Sequence, residues 1–104
     1  MPDFTIARAA EHEGKEVILR GWLYNLRESG KIRFPLFRDG TGLMQAVVSK
    51  AEVSDAVWTR VGELTEESSL IARGTVRKEP RAPGGFELVL SDLEVLQRVP
   101  DSDP

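Results

Sequence analysis

The stretch from Arg27 to Gln45 constrains this chain more than any other. It runs Arg-Glu-Ser-Gly-Lys, then Ile-Arg-Phe-Pro-Leu-Phe-Arg, then Asp-Gly-Thr-Gly, then Leu-Met-Gln. Two short apolar-rich segments are bounded by residues that turn a chain. Glycine accepts positive φ, and Asp and Thr bond to their own backbone. The pattern predicts a turn at 28–30, a strand from Ile32 to Arg38, a tight connection at 39–42 and a strand from Leu43 to Val48. A flexible basic loop, an aromatic on one strand and an amide on the next are the parts that read an unpaired base. The loop meets phosphate, the ring stacks, and the amide bonds a base edge.

The remaining segments extend this pattern. Phe4 to Glu13 carries Ile6, Ala7, Ala9 and Ala10 and predicts a short N-terminal helix ending near Gly14. Glu16 to Leu26 predicts a long strand with apolar residues on both parities, hence buried on both faces for part of its length. Gly21 inside it predicts a bulge or sharp bend. Ser54 predicts an N-cap, followed by Val57, Trp58, Val61 and Leu64 at helical spacing for about three turns. Ser69 to Lys78 and Phe86 to Leu96 predict two more strands, joined by a hairpin turn at Arg81 to Gly85. Residues 100–104 read as an acidic tail or linker after a single domain spanning 1–99.

Three strands, a helix, then two strands is the order of a five-stranded Greek-key barrel with a helix between strands three and four. The fold class expected is therefore all-β, an OB-fold barrel with a short N-terminal helix. Such barrels bind oligonucleotides on the face of strands two and three. A five-stranded barrel of other topology is the competing architecture.

Composition narrows the function. A chain of 104 residues builds one modest core. Without cysteine it has no disulfide framework, thiolate zinc site or thiol nucleophile. No apolar run approaches the roughly 20 residues that span a bilayer, and Met-Pro-Asp-Phe does not resemble a signal peptide. The expectation is a soluble cytoplasmic protein without a membrane partner. A net charge of −3 argues mildly against indiscriminate nucleic-acid binding. Residues 15–45, however, hold Lys15, Arg20, Arg27, Lys31, Arg33 and Arg38 against Glu16, Glu28 and Asp39. Residues 46–72 hold only Lys50 and Arg60 against five carboxylates, so the basic excess coincides with the base-reading run.

No catalytic constellation emerges. His12 lies alone between Glu11 and Glu13, adjacent Glu66 and Glu67 seldom converge, and Gly40-Thr41-Gly42 leads into no lysine-bearing helix. The expectations are no catalytic residue, no metal and no cofactor. Individual binding candidates are equivocal on pattern alone. Parity groups Phe34 with Ile32 and Leu36, which favours the core, with Arg33, Pro35 and Phe37 opposite. Gln45 in an apolar strand must face water or find partners, since burying an unpaired amide is costly. Trp22, Tyr24 and Trp58 read mainly as packing residues.

Gly21-Trp22-Leu23-Tyr24-Asn25 followed by Arg27 to Gln45 resembles the N-terminal anticodon-binding domain of class II aminoacyl-tRNA synthetases of the aspartyl, asparaginyl and lysyl group. Glu67 to Val76 and Pro83-Gly84-Gly85-Phe86-Glu87-Leu88 continue the match, and the asparaginyl type is nearest. The resemblance reverses the reading of Phe34. It implies an aromatic on the open face, stacked on the central anticodon base, with Pro35 and Phe37 pointing inward. It implies that Gln45 bonds the central uridine, that Arg27 contacts the loop, and that Glu87 helps read a base. Asn25, Lys31 and Arg33 join the candidate set as loop and phosphate contacts. Pro35 stands where the family has an aliphatic residue, and predicts a bulge in the second strand. The implied partner is the anticodon loop of a tRNA, that for asparagine first. The chain alone is expected to be a non-enzymatic monomer, whereas full-length relatives are dimeric and carry catalysis in a further domain. A generic single-strand binder, or a barrel for protein contacts, is the rival function.

Overall fold

The computed structural model describes residues 4–97. The expected tail at 100–104 lies outside them. Five strands close into a barrel: β1 (Glu16–Ser29), β2 (Ile32–Arg38), β3 (Leu43–Ser49), β4 (Ser69–Lys78) and β5 (Phe86–Gln97), in the spatial order β1-β2-β3-β5-β4. All neighbours are antiparallel except β3 and β5, which run parallel. One helix, α1 (Asp55–Gly62), lies between β3 and β4 in sequence. The OB-fold expectation holds.

β1 is long because it serves two neighbours. Glu16 to Trp22 pairs with β4, and Trp22 to Ser29 pairs with β2. Turning from one partner to the other brings Gly21 against β2. A Cβ there would sit 2.2 Å from the carbonyl oxygen of Arg38. Gly21 therefore permits a close backbone approach, while the bulge itself falls three residues later, at Tyr24. Nor does Pro35 produce a bulge. The β2–β3 register is the same on both sides of it, Arg33 with Val48 and Leu36 with Gln45. The ladder has a gap at this point, and Pro35 is fully buried.

Leu19, Leu23, Phe37, Met44, Val48, Leu70, Val76, Leu88 and Leu93 fill the barrel. Up to Leu23 β1 alternates strictly, and its second face is open rather than buried: Ile18 and Trp22 are exposed. The Ser54 hydroxyl caps α1 by accepting from Val57 N at 3.1 Å. The helix is shorter than its spacing implied, ending at Gly62, and it sends Val57 and Val61 into the core.

The N-terminal helix is a 3-10 segment, Ile6–His12. Asp39, in the β2–β3 turn, holds it. One carboxylate oxygen accepts from Ile6 N at 2.8 Å, and the other accepts from the Thr41 N–H and hydroxyl at 2.8 and 2.6 Å. The Thr41 oxygen in turn accepts from Ala7 N at 3.0 Å. Burial pushes the Asp39 carboxyl up. The bonds from the Thr41 hydroxyl and the Ile6, Thr41 and Gly42 N–H groups outweigh it, leaving the group below the usual carboxylate value.

Candidate nucleic-acid interface

The bulge at Tyr24 decides which residues of β1 face outward. Before it, Leu23 pairs with Phe37 and both point into the core. After it, Asn25 pairs with Leu36, Leu26 with Pro35 and Arg27 with Phe34. Tyr24 is skipped, so the inward set changes from odd to even residues and Leu26 packs on the core. A one-residue slip flips every following side chain. Asn25 and Arg27 thus emerge beside Phe34 and Leu36. In an unbulged strand they would enter the barrel, where an unpaired guanidinium is prohibitively costly.

Phe34 lies on the outer face and is partly exposed, and Pro35 and Phe37 form the inward set. The guanidinium carbon of Arg27 is 5.3 Å from the centre of the Phe34 ring. The same group donates from Nη2 to Gln45 Oε1 at 3.3 Å. A cation, a ring and an amide from three strands therefore converge. Asn25 is exposed, and its Oδ1 accepts from Leu26 N at 2.8 Å. Lys31 is exposed at the β1–β2 turn, and its carbonyl accepts from Lys50 N at 3.0 Å.

Glu87 is next to Gln45 in register, on the neighbouring strand β5. Its parity is outward, but the residue is only 4% exposed. Arg77, its partner on β4, donates to it from Nε at 2.7 Å and also from Nη2. This carboxylate, expected to help read a base, is engaged by Arg77, and the exposed group beside it is the Arg77 guanidinium. Arg77 was not among the sequence candidates. Alternation in β4, with Gly74 and Val76 inward, is the signal that placed it outward.

Arg33, expected as a phosphate contact, is engaged within the fold. It shares the inward parity of Pro35 and Phe37, at the end of the barrel covered by α1. Its Nε donates to Glu28 at 2.9 Å, and Nη1 donates to the Trp58 carbonyl at 2.6 Å. Its guanidinium carbon lies 3.9 Å over the Trp58 ring. Arg33 fastens the helix to the barrel and stands apart from the Arg27 cluster.

Two aromatics read as packing residues are on the surface: Trp22 is 39% exposed and Tyr24 50%. Arg38 lies 5.4 Å from the centre of the Trp22 ring and is ion-paired with Glu67. Trp58 does pack against the core. The outer face of β1–β3 thus runs from Phe34 past Leu36 to Trp22 and Leu43. Among the described residues no group of three or more His, Cys, Asp or Glu could hold a metal.

Comparisons with known proteins match the same five-stranded barrel. Residues 17–96 match the tRNA anticodon family, an OB-fold nucleic acid binding domain. The asparagine–tRNA ligase of Koribacter versatilis is 54% identical over 103 residues, covering 99% of this chain and 23% of that protein. That of Thermus thermophilus is 50% identical over 93 residues, covering 89% of this chain and 21% of that protein. The asparaginyl-tRNA synthetase of Pyrococcus horikoshii complexed with asparaginyl-adenylate superposes with a TM-score of 0.89 at 38% identity, covering 98% of this chain and 24% of that one. This chain spans less than a quarter of the length of these relatives. With the family model matched over nearly all of the barrel, the chain belongs to the tRNA anticodon family of OB-fold nucleic acid binding domains.

Proposed function

We propose that this chain grips the anticodon loop of asparagine tRNA as the recognition part of an asparaginyl-tRNA synthetase. The convergence of Arg27, Phe34 and Gln45 on one open face carries the reading. Phe34 offers its ring to the central anticodon base, and stacking of this kind is worth about 1–3 kcal/mol per base. Gln45 presents a donor and an acceptor to the edge of that base, a uridine in this reading. Arg27, Asn25 and Lys31 hold the loop around it. Arg77, drawn against Glu87, adds a cation beyond Gln45. Arg33 takes no part, because its guanidinium is spent on Trp58 and Glu28.

In this reading aminoacylation belongs to the remaining three-quarters of the relatives' length, and this region takes part in recognition without a cofactor. No helix among the described residues is long and apolar enough to cross a membrane. The proposed site of action is the cytoplasm, where tRNA is charged.

Competition binding tests the reading. The anticodon stem-loop of asparagine tRNA should displace poly-uridine and unrelated single strands from the protein. Equal affinity for the stem-loop and for poly-uridine would identify a sequence-tolerant single-strand binder instead.

A further inference from the structure

We propose that Arg27 and Glu87 together lock the Gln45 side-chain amide in one of its two flips, and that this lock makes the interface discriminate uridine from cytidine. The inference rests on the anticodon reading above and adds to it the origin of base specificity.

The argument starts from the symmetry of an amide. Its oxygen only accepts and its nitrogen only donates, and a half-turn about the last side-chain bond exchanges them. Uracil presents a carbonyl oxygen and an N–H along its pairing edge. Cytosine presents an amino group and a bare ring nitrogen, the reverse order. An amide free to turn satisfies either edge equally well. Phe34 does not help to choose, because stacking accepts any base. Gln45 on a stacking platform is therefore not enough for specificity. Something must hold the amide in one orientation.

The neighbours of Gln45 do so by charge. On one side Arg27 donates from Nη2 to Oε1 at 3.3 Å. A guanidinium has donors only. On the other side, in register on β5, lies Glu87, a residue 4% exposed whose carboxylate accepts from Arg77. A carboxylate has acceptors only. The amide oxygen belongs toward the guanidinium and the amide nitrogen toward the carboxylate. The reversed flip would set N–H against N–H on one side and oxygen against oxygen on the other. Because an amide oxygen has two lone pairs, one remains for the base after Arg27 takes the first. The base then meets a donor and an acceptor in fixed order, which fits one pyrimidine and opposes the other.

The test uses two anticodon stem-loops identical except for a central uridine or cytidine. The wild-type chain should separate them by about 10-fold or more, the discrimination of a well-formed pair of base contacts. Arg27→Met keeps the aliphatic reach and removes the donors. It should bring the two affinities within about 3-fold of each other while the melting temperature stays put, since Arg27 is exposed. Arg27→Lys, which can still donate to Oε1, should restore part of the ratio. Glu87→Gln replaces the acceptor-only neighbour with an ambivalent one and should also narrow the ratio. If that buried change prevents folding, the Arg27 pair of variants still decides. An Arg27→Met protein that weakens both stem-loops equally and keeps the wild-type ratio overturns the lock and leaves the anticodon reading standing. A wild-type protein with no preference between the stem-loops, and none over poly-uridine, overturns that reading and the lock together.

Discussion

Arg33 lies over Trp58, 3.9 Å from the ring centre, while Arg27, across the β1–β2 turn, lies over Phe34 on the other side of the sheet. Two arginines close in sequence thus stack on two aromatics with opposite consequences. One fastens a helix, and the other furnishes a surface.

Arg33→Ala should therefore lower stability and leave nucleic-acid preference intact. It removes a cation–π contact and charge-assisted bonds to Glu28 and the Trp58 carbonyl. A loss of about 1–3 kcal/mol is expected, read as a drop in melting temperature. Gly62→Ala should act in the same direction, because its Cβ would meet Arg33 Nη1 at 2.5 Å. A change in the ratio of affinities for two stem-loops would contradict this division of labour.

Phe34→Ala and Phe37→Ala, three residues apart, should fail differently. Phe37 is fully buried, and its loss should cost roughly 3–5 kcal/mol of stability, enough to unfold a small domain. Phe34 is only partly buried, so its loss should cost less than about 1.5 kcal/mol of stability and about 1–3 kcal/mol of stem-loop binding. Thermal melting beside affinity measurement separates the two.

Salt should weaken binding gently. Single-strand contacts lose about 0.7 in logarithmic slope per phosphate neutralised, so Arg27, Lys31 and Arg77 together give a slope on the order of −2. Lys31→Ala should flatten the slope by about 0.7 without altering base preference. A slope several times steeper would mean that the protein reads backbone charge over a much wider surface.

Acid should release the N-terminal segment. Bonds from Thr41, Ile6 and Gly42 keep the folded Asp39 carboxyl below its unfolded value near 3.8, against the upward push of burial. A depressed folded value contributes stability that is complete above the unfolded value and disappears as pH falls through the folded one. Asp39→Asn should reduce stability at neutral pH and remove that component of the acid transition. Amide exchange at Ile6 and Ala7, whose N–H groups bond to Asp39 and Thr41, should accelerate with it.

Much of the barrel is legible in the sequence because its signals are local. Ser54 caps α1 through a bond to Val57, three residues on. The glycines at 40, 84 and 85 take the positive φ that their turns require. What escaped pattern reading depends on partners distant in sequence. Arg33 finds Trp58 only after β3 and α1 have folded back. The burial of Glu87 follows from Arg77 across a hairpin, and parity alone cannot register an ion pair. Phe34 shows the limit of alternation in a strand with apolar residues on both sides. Alternation alone would put it inward; the family resemblance puts it outward, and the burial of Pro35 and Phe37 accounts for that placement.

The bulge at Tyr24 acts on this backbone as a frameshift acts on a message. Upstream of it even positions of β1 belong to the solvent, and downstream odd ones do. Anyone grafting new side chains onto this face must renumber at Tyr24. Pairing Tyr24 in the ladder instead of skipping it would shift the register by one residue and send Asn25 and Arg27 into the core. The binding surface is thus inherited from one extra residue in the backbone as much as from the side chains displayed on it.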